Sequence, residues 1–211
     1  YQSLYGIDDI FNRLNQDYYQ WGEFVFPPLT PIQNLEMYKI HSKIGLIVNR
    51  RLVRFTNKNK VLNDLKEKSV LLMNNGTQSL SSLITRILFE MPYQNGWKFL
   101  LRSEYLSEKD KRQALQRNDF KIITGLANTH MEIANSDIVM ARGGYNIICE
   151  LLALNKPSVI IDEKHNPEIE SNLMLAKNYK NIEISFKKDA IKRLHFLMKS
   201  YSNQEFLKGS E

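Results

Sequence analysis

The sequence predicts an α/β protein built on a doubly wound parallel sheet, and three observations carry that expectation. Short apolar runs recur from residue 69 onward, each four or five residues long and rich in Val, Ile, Leu or Phe, as strands buried on both faces are. Stretches with helical apolar spacing separate them, and cap or break residues mark the joints. Six such runs alternating with five or six helices imply a six-stranded Rossmann-like sheet joined by right-handed crossovers.

The strand candidates are residues 69–73, 97–101, 120–123, 137–141, 158–162 and 181–185. After the first, Leu80, Leu83, Ile84, Ile87 and Leu88 make one continuous apolar stripe of a helix. Ser107 with Asp110 resembles a capping box, with Asp in place of the usual Glu or Gln, and Thr129 with Glu132 fits the box directly. Ile147, Ile148, Leu151 and Leu152 mark the next helix, which Lys156-Pro157 must end. Pro167 suits the first turn of a helix carrying Leu173 and Ala176. A last helix carries Ile191, Leu194, Met198 and Tyr201.

Residues 1–66 read differently. Ile7, Ile10, Phe11 and Leu14 suggest a helix, residues 23–26 a short strand, Pro27, Pro28 and Pro31 a break, and residues 44–48 another apolar run. These elements are too few for an independent core. The expected division is therefore residues 1–66 as the tail of a preceding domain with a linker (or an N-terminal extension packed on the main sheet), 67–202 as the α/β domain, and 203–211 as a C-terminal tail. The chain starts at Tyr1 rather than Met, which leaves room for a missing N-terminal piece.

With 211 residues, 43% hydrophobic and 25% charged, and ten Phe and ten Tyr, the chain is globular rather than disordered. No stretch approaches the ~20 apolar residues of a membrane-spanning helix. A single cysteine, Cys149, excludes an internal disulfide and a cysteine-built zinc site, and fits a reducing compartment. Its place in an amphipathic helix makes it a buried, inert thiol. The net charge of +6 suits anionic ligands. The basic residues are scattered, however, and no nucleic-acid-binding pattern or metal-ligand spacing is present.

Ligands of doubly wound sheets bind beyond the carboxyl ends of the strands, so the loops after strands carry the candidates. In Asn74-Asn75-Gly76-Thr77-Gln78-Ser79, small residues let backbone N–H groups approach an anion at a helix N-terminus, and Thr77 and Ser79 offer hydroxyls. An ordinary capped turn is the alternative. In Ala141-Arg142-Gly143-Gly144-Tyr145-Asn146-Ile147-Ile148-Cys149-Glu150, the paired glycines permit positive φ and close approach of a ligand. Asn146 and Glu150 share a helical face away from the Ile147 and Leu151 stripe, where a carboxylate suits a ribose diol; a solvated Glu after a Gly-rich turn is the alternative. The third loop, Glu163-Lys164-His165-Asn166-Pro167-Glu168, precedes another helix and could close over a ligand. His165 is a candidate lining residue there, with a surface or capping role as the alternative.

The second string, together with the following Leu154-Asn155-Lys156-Pro157 and the next apolar run, resembles the donor-binding motif of the glycosyltransferase family 28 C-terminal domain. That group includes the N-acetylglucosaminyltransferase of peptidoglycan lipid II synthesis and predicted bacterial glycosyltransferases. The resemblance spans about residues 70–179. It implies the C-terminal half of a GT-B fold, which holds a nucleotide-sugar, usually UDP-linked, without a metal or cofactor. It implies that Glu150 binds the ribose hydroxyls and that the backbone of Gly125 and Leu126 contacts the uracil. Gly76, Thr77, Gln78 and Ser79 would lie near the diphosphate with the Gly143 and Gly144 turn, and Arg142, Tyr145 and Asn146 belong to the same string. Glu168 falls near a family Gln that contacts the donor sugar. Ile44-Gly45 with Asn49-Arg50 is similar to an interdomain segment whose Arg, here Arg50, pairs with the diphosphate.

The implied function is a glycosyltransferase donor domain, binding a nucleotide-activated sugar such as a UDP-N-acetylhexosamine for transfer to an acceptor hydroxyl on a glycan or lipid-linked glycan. The catalytic residue is not identified, and the acceptor-binding half is expected on a missing N-terminal segment or a partner subunit. A cytoplasmic protein is expected, peripheral at the inner face of the plasma membrane if the acceptor is lipid-linked, with no nucleic-acid partner. Two alternatives stand beside it. Ile147 in place of the family Thr, Glu168 in place of Gln, and Asn75 in the first loop favour a non-catalytic or regulatory GT-B-like subunit. A UDP-sugar 2-epimerase-like isomerase shares the architecture, but only Asp162, His165 and Glu168 could supply its acids and bases.

Overall fold

The computed structural model describes residues 24–26, 41–43, 67–73, 78–102, 106–124, 129–163 and 166–202. The chain divides into two compact units, Tyr1–Leu46 and Ile47–Glu211. In the first, β1 (Phe24–Phe26) pairs in parallel with β2 (His41–Lys43), Phe24 opposite His41. β1 lies within the expected strand at 23–26, whereas β2 was not anticipated: His41-Ser42-Lys43 has no apolar run to mark it. The helix expected around Ile7 to Leu14 and the run at 44–48 fall outside the described residues.

The second unit contains a six-stranded sheet, every pairing parallel. Its strands are β3 (Lys68–Leu72), β4 (Trp97–Arg102), β5 (Phe120–Ile123), β6 (Ile138–Arg142), β7 (Ser158–Asp162) and β8 (Ile182–Phe186), in the spatial order β5-β4-β3-β6-β7-β8. Every expected strand is present with its ends within one residue. Among the described residues six helices follow the strands: α1 (Gln78–Glu90), α2 (Glu108–Leu115), α3 (Thr129–Asn135), α4 (Tyr145–Ala153), α5 (Pro167–Ala176) and α6 (Ala190–Ser202). The winding starts at β3, runs outward to β5, then returns to β6 on the other side. That reversal makes the β3/β6 boundary the topological switch point, the place where sheets of this kind bind ligands.

Burial follows from the composition of the strands. Val70, Leu71, Leu72, Phe99, Leu101, Val139, Ile160 and Ile161 are inaccessible to solvent. Val70, Leu72, Phe99, Leu101, Ile138, Met140, Val159 and Ile161 join Leu83, Ile84, Ile87 and Leu88 of α1 and Leu194, Leu197 and Met198 of α6 in one cluster. Alternate residues such as Leu71 and Ile160 face the opposite side by the period of two. Burying each large aliphatic side chain contributes about 1.5–3 kcal/mol.

The two capping boxes expected from the sequence fare differently. Ser107 caps α2 by accepting from Asp110 N–H at 3.2 Å, and its hydroxyl donates to the Asp110 carboxylate at 2.6 Å. Thr129 and Glu132, expected to cap each other, instead converge on Arg102. Its Nη1 donates to Thr129 Oγ1 at 3.0 Å and lies 3.4 Å from Glu132. Arg102 is only 4% exposed, and a desolvated guanidinium takes the available acceptors in preference to the helix end.

The amino-terminal edge of the sheet is tightly tied. Asp137 accepts from Ser69 N–H at 2.7 Å, from the Ser69 hydroxyl at 3.2 Å and from Tyr201 Oη at 2.9 Å. Lys156 Nζ donates to Ala134 O at 3.1 Å and to Ser136 O, and Asn181 Nδ2 donates to Lys156 O at 3.1 Å. Desolvation, opposed in part by Asp137, pulls the Lys156 ammonium below its usual range. Burial and the Asp137 carboxylate push the Tyr201 phenol above its own.

Candidate functional site

The candidate site lies beyond the carboxyl ends of β3 and β6, where the strand order reverses. Residues 74–77, carrying Gly76 and Thr77, lie outside the described residues, as do Gly125, Leu126, His165 and Arg50. Gln78 and Ser79 are placed in the first turn of α1, and their side chains are not described. The turn after β6 is fully described and carries the motif.

β6 ends at Arg142, and Gly143 and Gly144 turn the chain into α4. Neither glycine has positive φ; Gly96 is the one glycine with it among the described residues. The expectation that the pair supplies left-handed backbone is corrected, and close packing takes its place. A Cβ on Gly143 would lie 2.9 Å from Leu173 Cδ2 and 3.3 Å from Ile160 Cγ2, so α5 and β7 leave room only for hydrogen. Gly144 is different: a Cβ there would meet nothing within 4 Å. It is the N-cap of α4, with φ −67° and ψ 145° and no side-chain cap. The first N–H groups of α4 are thus left to solvent or a ligand, at the end of a helix that carries about half a positive charge.

Glu150 lies on the same helix. Its Oε2 is buried with no hydrogen-bond partner, and burial alone raises its carboxyl above the ordinary glutamate range. Buried acceptors without donors are rare in folded proteins and costly. Asn146 is exposed. The core side of α4 is Ile148, Cys149 and Leu151; Ile147 is partly exposed, so the stripe lies one position away from the Ile147 expected in it. Cys149 is fully buried, as expected. The Tyr145 phenol is raised by burial and by the neighbouring Cys149 thiol.

Arg142 is already engaged. Its Nε donates to Glu163 Oε2 at 2.7 Å, joining the end of β6 to the loop after β7. The third loop starts α5 with Asn166, whose Oδ1 accepts from Ile169 N–H at 3.3 Å. Glu168 is exposed in the first turn of α5 beside Glu170, where acidic side chains complement the helix dipole.

Two features escaped sequence reasoning. Asn172, 6% exposed, donates from Nδ2 to Gly143 O at 3.1 Å; its polarity within the Ile169 and Leu173 stripe was the available signal. Glu163 was noted only as part of its loop, and its pairing with Arg142 spans 21 residues. A groove of about 300 Å³ lined by Gln94, Asn95, Trp97, Met198, Lys199 and Ser202 lies at the start of β4, the opposite end of the strands from Gly144. Among the described residues no three His, Cys, Asp or Glu side chains gather to hold a metal, and no helix is long and apolar enough to cross a membrane.

The strand order, the uncapped turn at the switch point and the acid on the helix behind it define a Rossmann-like domain of the kind found in GT-B glycosyltransferases, and solved structures of that class superpose on it. The glycosyltransferase SnogD from Streptomyces nogalater aligns over 94% of this chain and 58% of its own, with a TM-score of 0.52 and 12% identity. The glycotransferase of kitacinnamycin aligns over 69% of this chain and 38% of its own, at 0.51 and 13%. LpCGTa, solved in complex with UDP, aligns over 77% of this chain and 39% of its own, at 0.51 and 10%. The chain therefore spans between about two fifths and three fifths of these structures. No curated protein matches its sequence. Residues 70–195 match the glycosyltransferase family 28 C-terminal domain, and the chain belongs to that family.

Proposed function

We propose that this chain is the donor-binding part of a glycosyltransferase that takes a UDP-linked sugar and works without a metal. The observation that carries the reading is Glu150: a buried carboxylate oxygen with no partner, on the helix whose uncapped N-terminus follows β6 at the switch point. A ribose diol supplies a hydroxyl donor to that oxygen, while the diphosphate sits against the N–H groups at the start of α4. The UDP complex of LpCGTa supports the choice of nucleotide by analogy of fold.

In the reaction, an acceptor hydroxyl attacks the anomeric carbon as the bond to the diphosphate oxygen breaks. The positive end of α4 stabilises the charge that develops on the leaving diphosphate. A general base that takes the acceptor proton is assigned to a segment or partner subunit outside the described residues. The acceptor is a glycan or lipid-linked glycan, the latter placing the protein on the inner face of the plasma membrane.

Calorimetric titration with UDP, TDP, GDP and their sugars tests the reading. UDP binding that is abolished by Glu150→Ala supports it, and silence toward all of them at millimolar concentration refutes it. A second reading, a non-catalytic donor-binding subunit, is favoured by the Arg142–Glu163 pair, which neutralises the basic side chain nearest the turn. It predicts nucleotide binding without sugar transfer once the acceptor half is supplied.

A further inference from the structure

We infer that Asn172 is a positioning residue for the donor diphosphate: its buried amide holds the peptide between Gly143 and Gly144 in the orientation that presents the start of α4 to the phosphates. The inference rests on the nucleotide-sugar reading of this site. The peptide is pinned at both ends. Gly143 O accepts from Asn172 Nδ2 at 3.1 Å, and Gly144 N–H donates to Arg142 O at 2.9 Å. With glycine on either side, side chains offer no barrier to rotating this peptide. The two hydrogen bonds, and the packing of Leu173 and Ile160 on Gly143, select one orientation.

Asn172 is 6% exposed, and a buried amide is justified energetically only where it is hydrogen-bonded. Leu173, the next residue on α5, supplies the apolar contact to the same glycine, so α5 grips the turn through adjacent polar and apolar side chains. Asn172 has no reason to touch the ligand; it acts through Gly143.

The test uses the full chain with Asn172→Leu, which removes the polar group at similar size, and Asn172→Asp, which keeps the shape and, once ionised, replaces the donor by an acceptor. UDP and uridine are titrated by ligand-observed NMR, after thermal melts show which variants are folded. The expected result is a loss of about tenfold in UDP affinity with uridine affinity unchanged. For Asn172→Asp the loss, measured against wild type at the same pH, shrinks as acid restores an O–H donor. Equal losses for both ligands, or no loss for either, overturn the positioning role. A wild-type chain that binds neither ligand overturns the nucleotide reading and this inference together.

Discussion

Helix α4 meets two different environments at its ends. Its carboxyl end is closed: Leu154 is the C-cap, Asn155 takes the left-handed conformation at φ 47°, and Lys156 N–H and Asn155 N–H donate to Leu151 O and Leu152 O at 2.9 and 3.1 Å. Those two hydrogen bonds form a Schellman arrangement, and Asn tolerates its positive φ better than most residues. Lys156, Asp137, Ser69, Tyr201 and Asn181 complete a polar network there. The amino end is open, with a glycine where a capping Ser or Asp would serve stability, and Glu150 behind it has a buried oxygen without a donor. The two ends of α4 thus differ in how fully their backbone groups are tied. A buried acceptor without a donor beside an uncapped helix start is a cost to the ligand-free fold.

Four substitutions would break or sharpen that contrast. Asp137→Ala strands three donors at the closed end and should destabilise the fold by about 3 kcal/mol by urea denaturation, without weakening UDP binding in the folded fraction. Gly143→Ala drives a methyl group into Leu173 and should cost about 1–2 kcal/mol while also displacing the turn. Stability and UDP affinity therefore fall together, which no change at the closed end should achieve.

Glu150→Gln should separate the two properties. Because the folded carboxyl is raised, the folded state binds its proton more tightly than the unfolded state, and stability falls as pH rises out of the ordinary glutamate range. At neutral pH the ligand-free variant should melt about 1 °C higher than wild type, the gap closing in acid, while UDP affinity drops. A melting temperature that falls at neutral pH would show that Glu150 stabilises the ligand-free fold. Asn146→Ala, on the exposed part of α4, should change stability by less than about 0.5 kcal/mol in the same denaturation experiment.

Much of the fold was legible because its signals are local. Residues 158–162 read as a strand since Ser158-Val159-Ile160-Ile161 can only be buried on both faces, and Lys156-Pro157 ends α4 wherever that helix packs. The capping of α2 by Ser107 is settled within four residues. β2 was hidden because pairing, not composition, makes His41–Lys43 a strand. At the site, the Gly-Gly…Glu spacing was visible, but its physical meaning was misread in part: Gly143 is small because Leu173, thirty residues on, fills the place of its Cβ.

By itself, then, the amino-acid order determined the alternation of strands and helices, the ends of α4 and the acid at Glu150, because hydrophobic period and capping chemistry act over a few residues. The tertiary structure alone decided that Arg142 is paired with Glu163, that Thr129 and Glu132 serve Arg102, and that Asn172 steadies the glycine turn. Those contacts join elements 21 to 30 residues apart in sequence, and packing into a common sheet is what sets which polar groups meet and which do not.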